Sequence, residues 1–190
     1  MRALLKRFFN DQTGSIIAEA VIVLPFMLWA YLALFVYWDA FRSVNVSQKA
    51  AYTVSDMLSR EMVTLPTTYV DGMQTLMGYL VGNTTGIRMR VTSVTYNSTK
   101  KQYQVEWSRS PKNAMPQLTT TTIANLASSI PTLADGDHVM LVETEVDYTP
   151  PFDIDMGDFS INIGNRVMKQ FIVTRPRFVP KICLTGVTCT

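Results

Sequence analysis

The sequence predicts an α+β protein: a long apolar helix at the N-terminus, followed by a head of about four antiparallel strands packed on helices. The first observation is a run of 23 residues, 16–38, whose only charged member is Glu19. The second is a helical spacing of apolar residues that continues to about Met62 and returns at residues 69–81. The third is a change to a period of two from Ile87 onward, which is typical of strands.

The apolar run is long enough to cross a membrane, because a helix of this length spans about 35 Å against a hydrocarbon layer of ~30 Å. Arg2, Lys6 and Arg7 precede it and predict a cytoplasmic N-terminus, with the rest of the chain outside the membrane. A cleaved secretory signal has a shorter apolar region of about 7–15 residues and a small-x-small cleavage site, which residues 37–42 do not offer. A plain signal anchor fits the length and stays an alternative.

Glu19 and the polar residues 10–14 distinguish this segment from a plain anchor. A carboxylate near one end of a spanning helix costs roughly 2–3 kcal/mol unless it is paired, which makes Glu19 a candidate functional residue. Pro25 lies inside the same helix and is expected to kink it or open it locally.

Residues 14–19, GSIIAE, followed by an apolar run to Pro25, resemble the leader junction of type IV-class prepilins. In that family a membrane aspartic peptidase removes a basic leader after Gly, the new N-terminal residue is often methylated, and Glu stands at the fifth mature position. The resemblance implies cleavage between Gly14 and Ser15 and assigns that position to Glu19. The new amine near Ser15 would pair with a buried Glu19 on a neighbouring subunit and set the register of stacked helices.

Within this class, residues 14–25 most resemble the TadE/TadF-like minor pilins of tight-adherence (Tad) systems, and residues 175–178 are similar to the end of that family's domain. The major pilins of the same system are much shorter and carry Tyr where this chain has Ala20, which favours a minor subunit. The implied partners are other major and minor pilins, the prepilin peptidase, the assembly platform in the inner membrane, and membrane lipid.

The expected organisation is a leader at residues 1–14, an N-terminal helix at 15–62 that crosses the membrane at about 16–38, and an external head at 63–190. Apolar spacing with a possible ion pair between Asp56 and Arg60 supports the second half of the helix.

The head begins with a second helix, which Thr67 or Thr68 is expected to cap and Gly82-Asn83 to end. A one-residue slip in the alternation at Thr92-Ser93 suggests a β-bulge. Four strands with one polar face predict an antiparallel sheet laid on helices. The predicted segments are strands at 87–96, 103–107 and 138–148, a short helix within 117–130, and one long final strand at 159–173.

The composition leaves little material for catalysis or metal binding. Of 190 residues, 47% are apolar and 17% charged, and the net charge of +2 is too small for a basic nucleic-acid binder. The only His lies in residues 135–138, which are adequately explained as a turn before a strand. We therefore expect no enzymatic activity, no cofactor and no nucleic-acid partner.

Two clusters remain. Asp153, Asp155 and Asp158 offer oxygen ligands for calcium, but their order departs from the helix-loop-helix signature, so a solvated turn is favoured. Cys183 and Cys189 flank five residues outside the membrane, where a disulfide is expected.

The resemblance thus implies a minor pilin of a Tad-type pilus that is inserted in the bacterial inner membrane with a periplasmic head. It would then assemble through its N-terminal helix into the pilus at the cell surface, or prime and cap that pilus, which serves surface adhesion. The alternative is a single-pass, membrane-anchored periplasmic binding or sensor domain, which would need neither Gly14 nor Glu19.

Overall fold

A computed structural model describes residues 13–82, 85–151, 154–156, 159–161 and 164–187, so most of the predicted leader lies outside the described residues. The chain is α+β, as predicted, with a long N-terminal helix and a four-stranded antiparallel sheet packed against helices. The elements in chain order are the helices α1 (Thr13–Ser59) and α2 (Thr67–Val81), the strands β1 (Ile87–Asn97) and β2 (Gln102–Arg109), the 3-10 turns Pro111–Asn113 and Thr122–Ser129, and the strands β3 (His138–Tyr148), β4 (Ile154–Met156), β5 (Phe159–Ile161) and β6 (Arg166–Thr174).

The chain falls into two compact units, and α1 contributes to both. One unit combines α1 up to Phe41 with Pro150–Gly164, where β4 and β5 form an antiparallel hairpin with Asp155 opposite Ser160. The other unit comprises Arg42–Thr149 and Asn165–Thr190 and contains the four-stranded sheet.

In the larger unit the sheet order is β2-β1-β3-β6, with every neighbouring pair antiparallel. One face of the sheet packs on the second half of α1 and on α2. The principal core residues on this face are Ala50, Ala51, Val54, Leu58, Val70, Met73, Met77, Met89, Val91, Trp107, Met140 and Val142. The helical and alternating apolar positions of the sequence therefore meet in one core, and the methionines of α2 fill it.

The C-terminal end of α1 lies at Ser59, three residues before the predicted end at Met62. The Ser59 carbonyl accepts a hydrogen bond from the backbone N–H of Arg177 at 2.9 Å. The segment after β6 therefore satisfies a carbonyl that the helix end leaves without an intrahelical partner. The predicted ion pair between Asp56 and Arg60 is confirmed at 2.8 Å. Pro25 lies inside α1, whose helical assignment continues through it, and the kink stays a prediction.

The ends of α2 confirm one prediction and correct another. Gly82 ends the helix in the left-handed conformation at φ 75°, as expected for a C-terminal glycine. The predicted cap by Thr67 or Thr68 is wrong: Pro66 occupies the capping position, and no side chain donates or accepts a capping hydrogen bond there. Pro66 is extended and the helix begins at Thr67, so Thr67 and Thr68 already lie inside the helix and not at its N-cap. Asn83 lies outside the described residues.

The second face of the sheet was predicted to be polar, but part of it carries a second apolar core. This core consists of Val94, Leu118, Ile123, Ile130, Leu133, Val139 and Leu141. The segment between β2 and β3 supplies four of these residues, and its predicted short helix is the 3-10 turn Thr122–Ser129. The apparent slip in β1 arises because Val94 belongs to this second core while Val91 belongs to the first.

A bulge lies between β1 and β2 at the position where the alternation slips, but its extra residue is on β2, and β1 itself stays in continuous register with β3. Ser93 pairs with Trp107 and Val94 pairs with Val105, so Glu106 is the extra residue on β2. The prediction of one long final strand at 159–173 is wrong. Its first part pairs with β4 as β5, and β6 begins only at Arg166, after Gly164 at φ 58°. A left-handed residue interrupts an extended strand, so the chain cannot continue straight there.

The C-terminal segment is part of the main core. The Leu65 backbone N–H donates to the Cys183 carbonyl and the Thr185 N–H donates to the Leu65 carbonyl, both at 2.8 Å. The Trp107 indole N–H donates to the Ile182 carbonyl at 2.9 Å in a buried hydrogen bond. Cys183 has no free thiol, but Cys189 lies outside the described residues, so their pairing stays a prediction.

Candidate functional site

The first half of α1 exposes apolar side chains on most of its surface. In the described part of the chain, α1 is long and apolar enough to cross a membrane. Its exposed large apolar and aromatic residues up to Trp38 are Ile17, Val21, Ile22, Val23, Leu24, Phe26, Met27, Leu28, Tyr31, Leu34, Phe35, Tyr37 and Trp38. Such a surface is stable only when lipid or other apolar surfaces cover it.

One narrow face of this helix segment is buried. Ala33 and Val36 are 6% and 1% exposed, and Trp29 and Leu32 pack against them. These four residues follow helical spacing and therefore share one side of α1. Most of the other side chains of this segment are exposed.

The charged candidate, Glu19, lies on the open part of α1 and is exposed. It makes no ion pair with any other residue that the structure describes. Gly14 and Ser15 belong to the same helix, and Ser15 precedes Glu19 by four residues, about one helical turn. The structure thus places the three predicted leader and assembly residues on one helix; their side-chain geometry is described only for Glu19.

The predicted turn with three carboxylates is only partly described. Asp153 and Asp158 lie outside the described residues, and Asp155 is described only as a backbone position in β4. Among the described residues, no group of three or more His, Cys, Asp or Glu side chains is arranged to hold a metal ion.

The only histidine, His138, lies in a polar cluster that sequence reasoning did not foresee. Its Nδ1 atom is 3.4 Å from the Glu106 carboxylate, and the Ser93 hydroxyl donates to the same carboxylate at 3.1 Å. The bulge on β2 brings Glu106 to this position. The Ser93 hydroxyl therefore donates to the carboxylate and not to the imidazole. A nucleophilic serine instead donates to an imidazole that a carboxylate orients, so this cluster does not have the arrangement of a catalytic triad.

Ion pairs cover the other end of the second sheet face. Arg88 on β1 binds Asp147 at 2.6 Å and Glu145 at 3.0 Å, and Lys169 on β6 binds Glu145 at 3.0 Å. The hydrogen bonds that Arg88 donates to Asp147 and Glu145 raise the pKa of its guanidinium. Burial raises the pKa of the Glu145 carboxyl, but the hydrogen bonds and charges of Lys169 and Arg88 outweigh it and hold the pKa below its ordinary value. These pairs tie three strands together.

We expect this depressed pKa to make the head acid-sensitive. A carboxyl whose folded-state pKa lies below its unfolded value near 4.5 contributes stability above that value and loses it as the pH falls through the folded pKa. Glu145→Gln should therefore lower the melting temperature at pH 7, and its difference from the wild type should shrink below about pH 4. Thermal unfolding of the full chain in detergent micelles between pH 7 and 3 measures this. A difference that does not change with pH would contradict it.

Comparison with known proteins gives no match: no family model, no curated protein and no solved structure aligns significantly with the chain.

Proposed function

We propose that the chain is a minor pilin of the type IV class, of the tight-adherence kind, which assembles through α1 into a pilus used for surface adhesion or primes and caps that pilus. One observation carries the proposal: the junction of Gly14, Ser15 and Glu19 stands at the start of a helix on which most of the apolar side chains between Ile17 and Trp38 are exposed.

Two environments suit this helix before and after assembly. A bilayer accommodates its apolar residues, but there the Glu19 carboxylate costs roughly 2–3 kcal/mol unless it is paired. A bundle of parallel pilin helices also buries the apolar residues, and it offers the carboxylate a counter-charge. Cleavage after Gly14 supplies that charge as the α-amino group of Ser15 on a neighbouring subunit. Pairing then favours one axial offset between subunits.

The alternative proposal is a single-pass anchor for a periplasmic binding or sensor domain. The same apolar helix would serve it, and the aromatic residues Tyr37, Trp38 and Phe41 at its outer end suit a membrane interface. An anchor gains nothing from Glu19, however, and has no use for a peptidase site at Gly14. These two residues therefore discriminate between the proposals.

The leader provides the first test. Co-expression with the cognate prepilin peptidase should remove residues 1–14 from the wild-type chain. Gly14→Val should block this cleavage, because a branched side chain at the cleaved bond obstructs the peptidase, and Gly14→Ala should block it less. Gel mobility and intact mass of the membrane-bound protein measure the processed fraction. Equal processing of all three chains, or none in the wild type, would reject the proposal.

A further inference from the structure

A cleft opens between α2 and the turn that follows β2, in the unit that contains the sheet. Its volume is about 330 Å³. Asp71, Gln74 and Thr75 on α2 form one wall, Ile87 at the start of β1 contributes to the lining, and Pro111 and Lys112 form the rim. This volume is at the lower end of the range of about 300–1,000 Å³ that is typical of small-molecule sites.

The rim of the cleft is held in an unfavourable backbone conformation. Lys112 and Asn113 are both left-handed, at φ 54° and 52°. Asparagine tolerates this conformation, but for lysine it costs roughly 1–2 kcal/mol. The buried Ser110 maintains the turn: its hydroxyl donates to the Met89 carbonyl at 2.8 Å and accepts from the Met115 N–H at 3.0 Å. The hydrogen bonds of Ser110 therefore keep Lys112 at the rim of the cleft in this conformation.

The charges of the cleft do not balance. Both oxygens of the Asp71 carboxylate already accept hydrogen bonds from Arg109 at 3.1 Å, so this acid is neutralised by its own partner. The Gln74 amide nitrogen donates to the Ile87 carbonyl at 2.6 Å, so the amide oxygen of Gln74 is left to accept a hydrogen bond from a ligand. Lys112 makes no ion pair with any residue in the described ranges. The rim of the cleft therefore carries one positive charge, that of Lys112, which no described residue compensates, and the Gln74 oxygen on the wall is a hydrogen-bond acceptor.

We propose that this cleft binds a carboxylate, carried either by a small organic acid or by an acidic side chain of a partner protein. The ammonium group of Lys112 would pair with the carboxylate, and a neighbouring N–H or O–H of the ligand would donate to the oxygen of Gln74. The hydrogen-bonded turn holds the backbone of Lys112 at the cleft before the ligand arrives. This site does not depend on the pilin assignment, because an anchored binding domain would use it equally.

The experiment uses the full chain in detergent micelles with its lysines converted to ¹³C-dimethyl-lysine, which keeps their charge. The probes are succinate, the blocked peptide Ala-Asp-Ala and its neutral counterpart Ala-Asn-Ala. Lys101 is the matched internal control, because it is also left-handed, at φ 49°, and exposed, but it lies in the turn between β1 and β2. Lys112→Arg identifies the Lys112 signal.

A saturable shift of the Lys112 signal that Lys101 does not share is expected with an acidic probe and not with Ala-Asn-Ala. A response to succinate alone assigns a small acid, and a response to Ala-Asp-Ala assigns an acidic side chain. Thr75→Phe, or the smaller Thr75→Leu, should fill the cleft and abolish the shift while the other lysine signals stay in place. Equal responses of Lys112 and Lys101, no response to either acidic probe, or a shift that survives both filling variants would overturn the proposal.

Discussion

Replacing Glu19 by leucine is expected to leave membrane insertion and leader removal largely unchanged and to abolish incorporation into fibres. In lipid the substitution removes an unpaired carboxylate, so insertion should be as good or better. In an assembly it removes the partner of the Ser15 amine on the neighbouring helix, and deleting one member of a buried ion pair costs about 3–5 kcal/mol. That corresponds to a loss of roughly 100-fold or more in the equilibrium for incorporation. Fractionation into membrane and sheared-fibre material measures it.

Two further variants make this prediction sharper. Glu19→Asp keeps the charge but shortens its reach, so its incorporation should fall between those of the wild type and Glu19→Leu. Leu24→Ala is a matched control on the same exposed helix, because it changes apolar contact without touching the charge pair. Normal piliation with Glu19→Leu as the only copy, when deletion of the protein abolishes pili, would favour the anchored-domain alternative.

The second large effect is expected at the ion pair between Arg90 and Glu143, which lie opposite each other on β1 and β3. Their side chains are only 9% and 13% exposed, and Arg90 donates two hydrogen bonds of 2.7 Å to the two carboxylate oxygens. A third donation goes to the carbonyl of Pro116. Glu143→Gln leaves this guanidinium without its counter-charge, so the free energy of unfolding should fall by about 3–5 kcal/mol. A drop of roughly 6–20 °C in melting temperature should follow.

The controls for this pair separate a buried charge from a lost contact. The double variant Arg90→Met with Glu143→Leu removes both charges and keeps apolar volume, so it should be clearly more stable than Glu143→Gln alone. Arg60→Ala breaks a pair whose arginine is 59% exposed and should cost no more than about 0.5 kcal/mol. Thermal unfolding of the full chain in micelles measures all three. A Glu143→Gln variant as stable as Arg60→Ala would show that solvent screens the pair.

The helices and the central strands are predictable from the sequence because their signals are local. Apolar spacing along α1 and α2 marks the faces that pack on the sheet, and the alternation of Met140, Val142 and Val146 marks the same face of β3. The acidic residues between them, Glu143 and Glu145, lie on the opposite face with the ion pairs. Period alone is sufficient for this assignment.

The second core was not predictable by the same means. Val94 turns toward the segment 118–133, and no local pattern states that this Thr-rich segment folds over the sheet. The break at Gly164 was not predictable either, because apolar residues alternate on both sides of it. Only the left-handed backbone of Gly164 shows that the strand stops there. The cap at Pro66 was missed because a threonine one residue later satisfies the usual preference.

The candidate sites differ in the same way. Gly14, Ser15 and Glu19 lie within the six consecutive residues 14–19 and could be identified from the sequence alone. The cleft could not, because Asp71, Ile87 and Lys112 come from three elements that only the fold brings together. The turn sequence Pro-Lys-Asn at 111–113 was a weak local signal, since asparagine tolerates the left-handed conformation and lysine does not favour it.

The N-terminus of the protein recovered from fibres distinguishes a fibre subunit from a membrane-anchored domain. Surface fibres are sheared from cells, purified and digested, and the N-terminal peptide of this chain is identified by mass spectrometry. If the chain is a fibre subunit, it is present in this material and begins at Ser15, as a free or methylated amine. Absence of the chain from fibres, with an intact Met1 in the membrane fraction, would show that it is not a fibre subunit.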